Sequence, residues 1–250
     1  MVDRDSEVGG GIIAGALAYR LFIWLLPLAL VVVAGLGFAA DARSESPREA
    51  AGDIGVQGLV SSSISSAADS PKRWYALVIG IPVLIWATRS VLRVLIGAHR
   101  MVWTDDRSRA PKPKLVSALR LLGLLVCFGV VSTFASAVRA WSTGPGLIVT
   151  LAAVVFYAVL WLLIIVRLPH HETDWTALVP GALVFGVGVE VVQVVIAYFI
   201  TPYALAKQGT YGALGIAAAL LVGLFLISRL VVASAVVNAT LWARRSTLDS

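Results

Sequence analysis

Residues 147–166 read LIVTLAAVVFYAVLWLLIIV, a run without a single charged side chain. At about 1.5 Å per residue, some 20 residues of helix cover roughly 30 Å, the hydrocarbon thickness of a bilayer. The run is apolar on every face. A strand of a membrane barrel would alternate with a period of two, so a transmembrane helix is the reading that fits.

Working outward from this span, the same length test selects five more: about Ile12–Ala39, Trp74–Ile96, Leu115–Val138, Ala177–Ile200 and Tyr211–Leu241. The expected fold is all-α, a polytopic membrane protein built as a bundle of six transmembrane helices. Nothing left over is long enough for a soluble domain, so residues 1–250 form one membrane domain. The composition agrees: 59% of the 250 residues are hydrophobic, 14% are charged and the mean hydropathy is +0.89. A soluble domain is roughly 45–50% apolar and 25% charged. A soluble enzyme, a disordered tail and a disulfide scaffold are thereby excluded. The one cysteine, Cys127, falls inside the third span, which leaves no internal disulfide.

The start of the chain carries Asp3, Arg4, Asp5 and Glu7 rather than a basic signal-peptide head. The first span is also too long for a signal peptide and is expected to stay in the mature protein. Arg100, Arg107, Arg109, Lys112 and Lys114 crowd the second loop, with Arg167, Arg244 and Arg245 on the same side. Excess Lys and Arg mark cytoplasmic loops, so both termini are expected in the cytoplasm. The opposite side holds a long Ala/Ser/Gly-rich loop, about 40–73, which has the makings of a short interfacial helix around Ile54, Leu59, Val60 and Ile64. Trp74, Trp103, Trp141, Trp175 and Trp242 sit near span ends, at the headgroup level that indole rings prefer.

Catalytic, cofactor-binding and metal-ligating sets do not emerge. The one dense cluster, His170-His171-Glu172-Thr173-Asp174, lacks the spacing of a zinc motif and reads as a solvated loop. Gly9-Gly10-Gly11 reads as a flexible entry to the first span. Charges inside the spans say more, because each is costly in hydrocarbon unless paired, hydrated or snorkelled. Arg20, Arg89, Arg93, Arg120 and Arg229 all fall in the expected cytoplasmic half, and Glu190 is the one acid that joins them. These arginines form a candidate path for an anion or a lipid headgroup, the alternative being plain snorkelling.

Glu190 and Gln193 share a stripe of the fifth span with Ala182, Gly186 and Ala197. They form a candidate midplane polar station, or else an interhelical hydrogen bond. Depth at 1.5 Å per residue separates Glu190 from Arg229 by about 12 Å and favours Arg20 as its partner. Pro27 and Pro82 are candidate kinks within the first two spans, and Pro180 stands at the start of the fifth, where proline is tolerated.

Ala14-Gly15-Ala16-Leu17-Ala18-Tyr19-Arg20-Leu21-Phe22-Ile23-Trp24-Leu25-Leu26-Pro27 resembles the first helix of the YihY/BrkB family of bacterial inner-membrane proteins, in its actinobacterial form. Thr88-Arg89-Ser90-Val91-Leu92-Arg93, followed by Ala98-His99 and Trp103, is similar to the end of that family's second helix. Val179-Pro180-Gly181-Ala182 and Tyr211-Gly212-Ala213-Leu214 resemble the openings of its fifth and sixth. The chain departs from many members at Ser234-Ala235-Val236-Val237, ahead of Asn238-Ala239, and Glu190 is outside the family pattern. The resemblance implies six helices with both ends inside and a multi-pass protein of the bacterial plasma membrane. Members have carried ribonuclease, virulence and lipid-moving labels, and no catalytic residues transfer from them.

The expected function is a transporter or flippase-like protein for an anionic lipid or small anion, with membrane lipids as partners. A non-transporting envelope scaffold that engages other membrane proteins is the alternative. The chain is not expected to be an enzyme. A ribonuclease is disfavoured, since paired carboxylates at a metal are missing and the basic second loop would bind nucleic acid only nonspecifically.

Overall fold

The computed structural model describes residues 5, 9–43, 73–104, 108, 110–141, 146–170, 174–200 and 208–246. Six long helices cover most of them: α1 (Gly10–Arg43), α2 (Arg73–Thr104), α3 (Leu115–Trp141), α4 (Gly146–Ile165), α5 (Val179–Val195) and α6 (Gln208–Ser246). Each contains a stretch long and apolar enough to cross a membrane, and no strand occurs among the described residues. Most of the long first loop, with its suggested interfacial helix, lies outside the described residues, as do residues 171–173 of the His170–Asp174 cluster.

The helices pack in neighbouring pairs, α1 on α2, α4 on α5, and α6 against α1, α2 and α5. The buried core is built from side chains such as Leu17, Val91, Tyr157, Trp161, Phe185 and Val232, contributed by five helices. Helix α3 sits on the flank, against α2 and α4. Of its described side chains only Ala118, Leu121 and Ala135 are buried. Large apolar residues on the outer faces, such as Trp86, Val130, Val155 and Val191, are exposed. That is the pattern of a bundle solvated by lipid rather than by water.

Helix ends differ in instructive ways from the hydropathy reading. The second span was expected to stop near Ile96, yet α2 runs on to Thr104. Ala98, His99, Val102 and Trp103 are buried there, and the Trp103 ring meets both Trp242 and His170. Tertiary packing, not local hydropathy, carries the helix past its polar residues. Helix α6 likewise extends to Ser246, with Arg244 and Arg245 in its last turn, where cations complement the helix dipole. The expected fifth span opens as a 3-10 turn over Trp175–Leu178, has Pro180 in the first turn of α5, and ends in a π-helical turn at Ile196–Ile200. Pro27 and Pro82 lie inside helices that continue through them.

Buried hydrogen bonds tie the pairs together. Trp24 Nε1 donates to Thr88 Oγ1 at 2.8 Å, and that hydroxyl donates back to Leu84 O. Asn238 accepts from the Gly181 N–H at 2.7 Å and donates to Leu178 O at 3.1 Å. One amide side chain on α6 thus serves a free donor at the start of α5 and a carbonyl of the preceding turn. Trp161 Nε1 donates to Ser234 Oγ at 2.8 Å, fixing α4 to α6. Gly186 sits where a Cβ would strike Val154 O and Ala158, so α4 and α5 approach closely through it.

Candidate functional site

The five span arginines do not converge on one path. Arg20 is exposed on the outer face of α1 and has no hydrogen-bond partner among the described residues, so the suggested Arg20–Glu190 pair is not formed. Arg229 is held by an acid from the opposite end of the sequence. Its Nη1 and Nη2 donate to Asp5 Oδ1 and Oδ2 at 3.2 and 2.9 Å, a two-pronged pair. Gly10 lies directly beneath this bridge, and a Cβ there would collide with the Asp5 carboxylate. The glycine-rich entry is therefore a seat for an ion pair. Gly9 turns the chain into α1 with a φ of +68°, which glycine adopts at no steric cost.

Arg89 and Arg93 are half-buried on α2. Arg89 donates from Nε and Nη2 to the Pro113 carbonyl at 3.2 and 2.9 Å. Arg93 Nε is buried with no hydrogen-bond partner among the described residues. Arg120, exposed on α3, lines a cavity.

That cavity has a volume of about 410 Å³ and lies where α2 ends, α3 begins and α4 ends. Lys112, Lys114, Arg120 and Arg167 stand around it, and no acid is among its lining residues. Leu92, Ile96, Leu163, Ile164 and Leu168 give it an aliphatic side, with Leu92 and Leu168 buried at its base. Ser117, in the first turn of α3, opens onto the same space. A helix N-terminus adds free N–H groups and a partial positive charge to that end. Four cations and a helix start thus share one space with aliphatic side chains, an arrangement whose charge complements an anionic group.

Three of these cations, Lys112, Lys114 and Arg167, served in the sequence only as markers of orientation. A signal was present, in that Pro111, Pro113 and the lysines alternate just ahead of an amphipathic helix start. Which neighbours they would face is a tertiary fact.

A second cavity, of about 70 Å³, lies deeper and is lined by apolar side chains from all six helices. Leu121, Leu124 and Ile164 line both cavities. Trp161 and Phe185 stack at 4.5 Å on its wall, and Phe128 closes its far end beside Tyr157, the two rings 4.9 Å apart.

Glu190 is buried on α5, and Gln193 one turn on is half-buried. Gln193 Nε2 donates to Tyr157 OH at 2.9 Å, and that hydroxyl also shares a hydrogen bond with Ser132 Oγ at 2.8 Å. Tyr157, fully buried on α4, thus joins α3 and α5. Tyr157 carried no signal in the sequence, because one tyrosine in an apolar run looks like core. Among the described residues no three His, Cys, Asp or Glu side chains come together as a metal site.

The family model for the virulence factor BrkB matches residues 2–250, nearly the whole chain. The chain belongs to that family, and it is a multi-pass membrane protein with six helices of spanning length. No curated protein and no solved structure matches it.

Proposed function

We propose that this BrkB-family chain is a transporter or flippase-like protein that captures anionic headgroups from the cytoplasmic leaflet of a bacterial plasma membrane. The observation that carries the reading is the cavity of about 410 Å³ whose rim holds Lys112, Lys114, Arg120 and Arg167 over an aliphatic floor. A phosphate or carboxylate head meets the cations, and the oily remainder of the ligand meets the leucines. The same basic residues support a cytoplasmic position for this end under the positive-inside rule, on the leaflet where anionic lipids are met. The charge centre therefore shifts from the scattered span arginines to Arg120 and its loop neighbours. Arg89 acts on the site indirectly through Pro113. Chemistry on the ligand is not required of the chain, which offers the site charge and shape.

The test is lipid movement in liposomes that contain only the purified protein, with fluorescent anionic and zwitterionic lipids. Anionic lipid should cross faster, and K112Q/R120Q/R167Q should abolish the difference while R20Q retains it. Equal crossing of both lipids in the unmodified protein and the triple variant would overturn the reading.

A further inference from the structure

We infer that the ligand of the cationic cavity is a lipid rather than a free anion, and that its hydrocarbon chain passes beneath Leu121 and Leu124 into the apolar cavity at the bundle centre. This rests on the headgroup reading above and adds where the rest of the molecule goes.

The two cavities are neighbours, with Leu121 and Leu124 of α3 and Ile164 of α4 lining both. The side chains of three aliphatic residues are the partition between them. Distance fits a chain. Lys114 and Phe128 are fourteen positions apart, about 21 Å along a helix, against about 15 Å of hydrocarbon in one leaflet. Volume decides which part of the ligand goes where. The outer space of about 410 Å³ is the larger and the one with polar side chains, whereas the inner one of about 70 Å³ is lined by apolar side chains alone. Roughly 150 Å³ of dry apolar cavity holds a benzene ring, so the inner space takes the last few carbons of a chain and no headgroup.

Charge points the same way. A free phosphate seated over leucines would lose hydration at the floor and gain nothing from the inner cavity. A lipid's chain leaves one apolar medium for another at little net cost, and the head supplies the attraction. The wall over both cavities is α3, whose buried described residues are only Ala118, Leu121 and Ala135. Parting α3 from α4 would open the head site and the chain site together, toward the surrounding lipid.

The experiment uses phosphatidic acid with a diazirine at the end of one acyl chain, in phosphatidylcholine vesicles holding the full-length protein. After illumination the labelled residues are mapped by mass spectrometry. Labels are expected on the inward residues Leu124, Phe128, Trp161 and Phe185, with L124W, which plugs the partition, losing those on Phe128, Trp161 and Phe185. L121F serves as a second plug should L124W fail to fold. Outward-facing Val126, Val130 and Val159 report ordinary contact with bulk lipid in every sample. If labels are confined to those outward positions while R120Q/R167Q still lowers capture of the anionic lipid, the inference fails and the headgroup reading stands. If R120Q/R167Q leaves capture unchanged, the headgroup reading fails with it. Inward labels displaced as readily by inorganic phosphate as by short-chain phosphatidic acid would overturn the preference for a lipid.

Discussion

Arg89 on α2 donates from both Nε and Nη2 to the carbonyl oxygen of Pro113, at 3.2 and 2.9 Å. Pro113 is buried and stands between Lys112 and Lys114. A guanidinium in one helix therefore anchors the backbone between two lysines in the segment that leads into α3. The bond anchors one edge of a basic cavity that Arg89 itself does not line.

Removing that clamp in R89A should cost about 1–3 kcal/mol of stability, the usual range for hydrogen bonds from a charged donor. Capture of short-chain phosphatidic acid in detergent should fall further than stability does, because Lys112 and Lys114 lose their support. Thermal unfolding and equilibrium binding on the same sample separate the two effects.

Asn238 serves the Gly181 N–H and the Leu178 carbonyl together, at 2% exposure. N238L leaves both groups buried and unsatisfied, and about 2–4 kcal/mol should be lost. N238D should not restore it, since a carboxylate oxygen would then face the Leu178 carbonyl. Heat unfolding of the three proteins in one detergent checks the order.

Tyr157 OH bridges Ser132 and Gln193. Polar contacts between membrane helices average about 0.6 kcal/mol, and Y157F should lose on that order. If the bridge is packing, Q193L and Y157F each lower stability, and the double variant does no worse than the larger single. If Gln193 is a station on a ligand path, Q193L slows lipid movement while melting stays put. The buried network favours the first result.

The Asp5–Arg229 pair is partly open to solvent, with side chains 28% and 35% exposed. A double-mutant cycle of D5N and R229Q should return a coupling within about 1 kcal/mol. That coupling should vanish in 1 M salt, where screening acts within about 3 Å. G10V should mimic its loss, because the valine side chain occupies the place of the Asp5 carboxylate.

The six spans were legible because membrane crossing imposes a length and an apolar content that any window detects. The end of α2 was not. Val102 and Trp103 are buried there, and the Trp103 ring packs on His170, just beyond α4, and on Trp242 of α6, both far along the sequence. Arginine depths were readable from the helical rise, but depth says nothing of azimuth. Arg20 and Arg89 had the same standing as span charges, yet one lies on the outer face and the other grips a loop. The same arithmetic separated Glu190 from Arg229, and Arg229 pairs with Asp5. The basic cavity needed three segments to meet. Its lysines were visible as charges and invisible as a rim, because which helix would face them is decided only when α3 packs on α2 and α4.

The Trp24–Thr88 and Gly181–Asn238 bonds have a consequence for how this architecture diversifies. Trp24, Thr88 and Gly181 lie in stretches by which the chain resembles its family, and neither these three nor Asn238 lines either cavity. These two bonds of the scaffold and the basic rim of the outer cavity are written on separate residues. The rim at Lys112, Lys114 and Arg167 can therefore drift in charge without breaking either of these two bonds, and under the proposed reading one chassis could be refitted for different headgroups.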